Sequence, residues 1–279
     1  MDKIISYISI CLYELGNPSV VWLSFDLRDS LFSEITQSIS LSRHLLFDLL
    51  KEIEDSFPNL TFLIPSFTFD FPLTKTFCTS ESKPKLGAVS MTLFRIKYPW
   101  RTLHPFYSFY IFGKEKQFFE NLEHFNSVGS DSIFATLIDL QCCNISLGHC
   151  FVKSFSIVHH FEYILDKPYR FVKVFDGRCI SSQLKKSLLV NSRYFGRRLH
   201  VCSRSGLTLT GLRGLRNNGC IFDLYDSNKP IASCINLNDA SKLLLDTTNS
   251  TWISYMDSRN PNNVITNEMA DILFHGGKV

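Results

Sequence analysis

The sequence predicts an α/β chain with a smaller β-rich portion toward its C-terminus. Amphipathic helices at 2–15 and 42–54 alternate with short apolar strands at 19–27 and 59–69, and the pattern turns to β after Pro168. With 279 residues and 45% hydrophobic content, one domain spanning 1–279 is expected, with 169–235 as a smaller β subdomain inside it.

The first helix, MDKIISYISICLYEL, carries acids at Asp2 and Glu14 and lacks a small-residue cleavage site, so it reads as an amphipathic helix rather than a signal peptide. The second presents Leu45, Leu46, Leu49, Leu50 and Ile53 at helical spacing. SVVWLSFDL and NLTFLIPSFTF are rich in β-branched and aromatic residues, as buried strands are. From 70 to 103 turn formers dominate and predict a long functional loop, with a short helix near 87–96. A strand at 106–113, helices at 116–125 and 130–140, a strand at 143–150 and a helix at 155–165 follow. A last helix is expected at 238–246.

No apolar run approaches the roughly 18 residues of a membrane span, so a soluble protein without a membrane partner is expected. Nine cysteines without C-x-x-C spacing read as free thiols in a reducing cytoplasm. The formal net charge of +3 is too small to imply nucleic acid and suits single anionic ligands.

In FSIVHHFEYIL, residues 155–165, His159 and Glu162 lie three apart on one helical face, where a carboxylate can orient an imidazole as a general base. The plain alternative is a hydrogen-bonded core histidine. His160 points about 100° away and reads as packed or exposed. In WRTLHPFYSF, Pro105 biases His104 toward an extended backbone that holds its ring out at a strand edge; a loop histidine without a role is the alternative. Ser66 and Thr68 share one side of a strand end, as ligand contacts or as turn formers. Ser132 lies where a small-residue loop feeds a helix N-terminus, a resting place for phosphate. No metal is expected, because the Cys and His residues between 142 and 160 lack zinc-loop spacing. There is no nucleophile elbow, P-loop or dinucleotide fingerprint.

Taken in order, TFLIPSFTFDF, KPKLGAVSMTLFRI, RTLHPFYSFYIFG, VGSDSIFATLIDL, ISLGHC and SIVHHFEY before KPYRFVKVF resemble the aminoglycoside 3-N-acetyltransferase family. The resemblance covers about 20–235. It implies that family's α/β fold, a largely antiparallel or mixed sheet flanked by helices, and not the GCN5-like one. It also implies an acyl-CoA donor, acetyl or a short hydroxyacyl such as 3-hydroxybutyryl, and a sugar amine as acceptor. The family's catalytic pair falls on His159 and Glu162, with His104 assisting. Donor contacts fall near Ser66, Thr68, Ser132, Asp26 and Arg101. Where many members carry His-Ser-Ser or His-Ser-Asp, this chain has Ser24 and Phe25, and Asp26 alone persists.

Arg193, Arg197, Arg198, Arg204, Arg213 and Arg216, six arginines in 24 positions, suit an acceptor bearing phosphates. The expected function is therefore N-acylation of a nucleotide-linked amino-deoxy sugar, such as a dTDP-3-amino-3,6-dideoxyhexose, for polysaccharide synthesis. The rivals are an aminoglycoside acetyltransferase conferring antibiotic resistance and a non-catalytic sugar-nucleotide-binding relative. A cytoplasmic monomer or homodimer is expected.

Overall fold

The chain, a computed structural model, is described over residues 2–32, 41–257, 259–260 and 263–276. Its main sheet has six strands in the order β4-β2-β1-β5-β10-β9. The strands are β1 Val20–Phe25, β2 Thr61–Pro65, β4 Phe109–Gly113, β5 Cys143–Leu147, β9 Ile221–Asp226 and β10 Lys229–Asn236. β1 runs parallel to both β2 and β5, while β4, β10 and β9 add antiparallel edges, so the sheet is mixed. Every residue of β1 but Phe25 is buried, which explains its unbroken apolar run: a central strand covered on both faces has no polar side.

Alternate β1 residues feed two cores. Val21 and Leu23 pack with Ile8 and Leu12 of helix α1, Asp2–Glu14, and with Leu49 and Ile53 of helix α2, Leu41–Ser56. Val20 and Trp22 face the opposite layer, which includes Phe134 and Leu137 of the helix Ile133–Asp139 and Phe161 of the helix Val158–Ile164. Trp22 is stacked on Phe134 at 6.1 Å and meets Phe67 and Phe109 edge to face.

The loop expected at 70–103 holds a short helix Phe71–Thr74, strand β3 Thr76–Cys78 and the helix Ala88–Arg95. The strands within 169–235, expected as a smaller β subdomain, are distributed over three sheets. β6 Arg170–Ser181 and β7 Lys186–Arg197 form a long antiparallel ribbon joined to β3, and β8 Arg204–Leu207 pairs with β11 Ile253–Met256. The helix Leu209–Asn217 follows, and β9 and β10 then return to the main sheet beside β5. Cys179 and Val190 of the ribbon are buried in the same core cluster as Val20 and Trp22, and β6 begins shortly after the helix that carries His159.

Trp22→Ala should lower unfolding free energy by about 3–5 kcal/mol, read by urea denaturation, because three aromatic contacts and a fully buried ring are lost together.

Candidate active site

The helix Val158–Ile164 ends before Pro168, and Asp166, with φ +46°, turns the chain back so that Tyr169 and Arg170 open β6 against the helix they have just left. This return closes a polar cluster around Glu162, which is completely buried. Glu162 Oε2 accepts from His159 Nδ1 at 2.9 Å and from Arg170 Nη2 at 2.5 Å, and Oε1 accepts from the Tyr169 hydroxyl at 3.2 Å. Arg170, itself 6% exposed, also donates from Nη2 to Ser205 Oγ at 2.7 Å, and its guanidinium lies over the Phe195 ring.

Arg170 Nη2, with two hydrogens, meets three groups: Glu162 Oε2 and His159 Nδ1, each at 2.5 Å, and Ser205 Oγ at 2.7 Å. With its proton on Nδ1, His159 donates to Glu162 and keeps a lone pair on Nε2, the form a general base needs. Burial and the neighbouring Arg170 charge hold His159 below the ordinary histidine value, outweighing the Glu162 carboxylate. The ring is thus neutral near pH 7. Burial alone would raise Glu162; His159, Arg170 and Ser205 more than offset it and keep the acid ionised.

His159, with its side chain 26% exposed, lines a cavity of about 330 Å3 with Arg170, Arg197, Arg204 and Lys153. Among the described residues no Asp or Glu lines it. Arg170 and Arg197 sit directly opposite one another on β6 and β7. A second cavity of about 510 Å3 lies at the C-terminal ends of β1 and β2, where Ser24, Asp26 and the start of the helix Ala88–Arg95 meet. Leu86, Lys153, Ser156 and Asn267 line both cavities, so the two adjoin.

The structure brings His159 and Glu162 together and puts Asp26 in the second cavity. Asp26 is held well below the carboxylate range by the forked Arg28 contact, at 2.8 and 2.6 Å, and then by Lys153. Five other expected site residues line neither cavity. His104 is 2% exposed; its Nδ1 accepts from the Phe106 and Tyr107 amides and its Nε2 meets Asn126 O, so it braces a loop and lines neither cavity. Arg101, 1% exposed, donates to Ser66 O, Thr79 O and Ser82 O and to the hydroxyls of Ser66 and Ser108. Thr68 donates to Pro105 O, and Ser132 caps its helix and bonds Gly129 O, so neither hydroxyl faces a ligand. Ser66 is likewise fully buried.

Sequence reasoning missed Arg170, Tyr169, Ser205 and Lys153. The first two stand in KPYRFVKVF, a stretch legible as a strand start but silent about the side chain it would face.

Among the described residues no group of three His, Cys, Asp or Glu is placed to hold a metal, and no helix is long and apolar enough to cross a membrane. All nine cysteines are reduced and buried.

Residues 72–196 match the family model described as aminoglycoside 3-N-acetyltransferase. No curated protein sequence matches the chain. Among solved structures, aminoglycoside acetyltransferase AAC(3)-Xa is 13% identical with a TM-score of 0.60, covering 88% of this chain and 90% of its own. AAC-IIIb in a binary complex with CoASH is 12% identical with a TM-score of 0.61, covering 89% and 97%. AAC(3)-IVa with a histidine-to-alanine substitution, in complex with a gentamicin, is 19% identical with a TM-score of 0.58, covering 95% of both chains. The mixed α/β fold is shared with these enzymes.

His104 and His160 are both pushed down to about 4 by burial, from 6.5. Between those values the unfolded chain binds more protons than the folded one, so stability is fully present above pH 6.5 and is lost as pH falls. Urea unfolding at pH 7 and pH 5 should differ by about 2–4 kcal/mol. Glu162→Met should cost about 3–5 kcal/mol at pH 7, because it strands the buried Arg170 charge.

Proposed function

We propose that the chain is an acyl-CoA-dependent N-acyltransferase whose acceptor is an amino sugar linked to a nucleoside diphosphate. The observation that carries the reading is a neutral imidazole, oriented by Glu162, at the wall of a cavity whose charged lining residues, Lys153, Arg170, Arg197 and Arg204, are all basic and which adjoins a second cavity at the ends of parallel strands. The family match over 72–196 and the shared fold support acyl transfer, and a neighbour of that fold binds coenzyme A.

The second cavity suits a pantetheine arm. Its wall mixes Phe67, Leu86 and Val89 with the hydroxyls of Ser24, Ser90 and Ser154, matching a chain of methylenes and amides. The acceptor occupies the His159 cavity. Its amine, in the neutral form, attacks the thioester carbonyl carbon; the C–N bond forms and the carbonyl pair moves onto oxygen. His159 Nε2 takes the proton that the nitrogen sheds. Glu162 holds the tautomer and balances the imidazolium, and Arg170 keeps Glu162 ionised. Collapse breaks the C–S bond and the sulfur leaves with its pair, to be protonated from His159. The products are the amide and CoASH, and donor and acceptor are bound together, with no covalent enzyme intermediate. An acyl-CoA donor and nine reduced thiols suit a cytoplasmic enzyme.

Charge selects the acceptor class. Two arginines directly opposite across a ribbon cost stability, and Glu162 compensates one of them. With Arg204 and Lys153 on the same walls, the positive potential suits phosphate oxygens and opposes a polycation. The gentamicin-bound neighbour and the family description favour an aminoglycoside instead, and the same assay decides between them.

Thiol release from acetyl-CoA and short hydroxyacyl-CoAs should be at least about tenfold faster in kcat/KM with dTDP- or UDP-aminosugars than with kanamycin-like compounds. The reverse order would establish the aminoglycoside reading. His159→Ala should lower kcat by about 10²–10⁴ while coenzyme A binding is kept, and absence of any wild-type thiol release would mark a binding module. In the pH profile of kcat, the limb belonging to the base should fall off only below 6.5.

A further inference from the structure

Resting on the reading that acyl-CoA fills the cavity at the strand ends, we infer that Lys153 is a catalytic residue, the donor that meets the thioester oxygen as it becomes an oxyanion. An acyl group passing from a thioester in one cavity to an amine in the other must change partners where the two cavities join. Among the described residues, Leu86, Lys153, Ser156 and Asn267 line both, and Lys153 is the cation of the four.

Its placement is fixed by two carboxylates. Lys153 stands in the turn Phe151–Ser154 that follows β5, with its side chain 14% exposed. Nζ contacts Asp271 Oδ1 at 2.8 Å, from the helix Asn267–Phe274, and Asp26 Oδ2 at 3.3 Å, from the end of β1. An ammonium has three hydrogens, and these contacts engage two. The third is available to an oxygen at the join. Two anchors on different elements restrict a side chain that otherwise has many rotamers, as a preorganised donor requires.

The other cations on these walls are differently engaged. Arg170 Nη2 is held among Glu162, His159 and Ser205, and Arg28 is 81% exposed and forked onto Asp26. When the amine adds, the carbonyl pair moves onto oxygen and Lys153 Nζ–H donates to it. When the C–S bond breaks, that pair returns to carbon and the departing sulfur takes its proton from His159. Lys153 therefore ends each turnover in the state in which it began. The histidine manages the proton and the lysine manages the charge, from opposite sides of one carbon.

Lys153→Met keeps the aliphatic stem and removes the donor. Single-turnover acyl transfer at saturating acceptor should fall by about 10²–10³, with Kd for coenzyme A within about threefold of wild type, and Lys153→Arg should recover part of the rate. If Lys153→Met unfolds because two carboxylates are left facing each other, the Lys153→Met/Asp271→Asn double variant relieves that repulsion and should show the same loss. A folded Met variant, single or double, with a rate within threefold of wild type would overturn the inference, as would a loss confined to coenzyme A affinity. Wild-type protein that releases no thiol from any acyl-CoA would instead overturn the acyltransferase reading and the role of Lys153 with it.

Discussion

A carboxylate with no exposed surface is costly unless every lone pair and its charge are answered, and Glu162 is answered by three groups from two elements. His159 comes from its own helix, while Tyr169 and Arg170 come from the strand that begins one turn later. The cluster ties the helix to the base of the β6–β7 ribbon and holds the imidazole ring in place. Ser205, from a third strand, completes the arrangement by accepting from Arg170 Nη2.

Around this centre the fold supplies two chambers with different characters. The C-terminal ends of parallel β1 and β2 make a wall of mixed polarity, in the place where α/β sheets commonly take ligands. The ribbon and β8 make a basic one, through Arg170, Arg197 and Arg204. The departure at Ser24 and Phe25 falls on the first chamber and the arginines on the second. The imidazole, paired with its carboxylate, lies on the wall of the basic chamber.

Local periodicity carried the parts that are local. The helices Asp2–Glu14, Leu41–Ser56 and Leu237–Leu244, the apolar β1 and β2 and the three-residue spacing of His159 and Glu162 were legible, because each depends on neighbours in sequence; the helix Asn267–Phe274 was not expected. The mixed sheet was legible through resemblance, since the pairing of β10 with β5 joins residues some ninety positions apart. Arg170 was not, because its role arises only when the chain doubles back at Asp166. His104 and Arg101 are held by buried hydrogen bonds that the sequence did not show. Polar residues in an otherwise apolar loop can face a ligand or satisfy buried backbone, and the carbonyls of Ser66, Thr79 and Ser82 and the amides of Phe106 and Tyr107 claimed them. The start of β6 was legible in KPYRFVKVF, whereas β7 was not, and nothing in the pattern showed that Arg170 and Arg197 would end up face to face.

The central claim is a protonation state, and it is directly observable. Nitrogen-15 NMR of the imidazole side chains at pH 7, with His159 assigned by comparison with His159→Ala, should show one ring carrying its proton on Nδ1 and a bare lone pair on Nε2. Loss of that state should require acid below 6.5. A His159 ring protonated on Nε2 alone, or on both nitrogens at pH 7, would contradict the account, since neither form can accept a proton from the amine at the atom that faces the cavity.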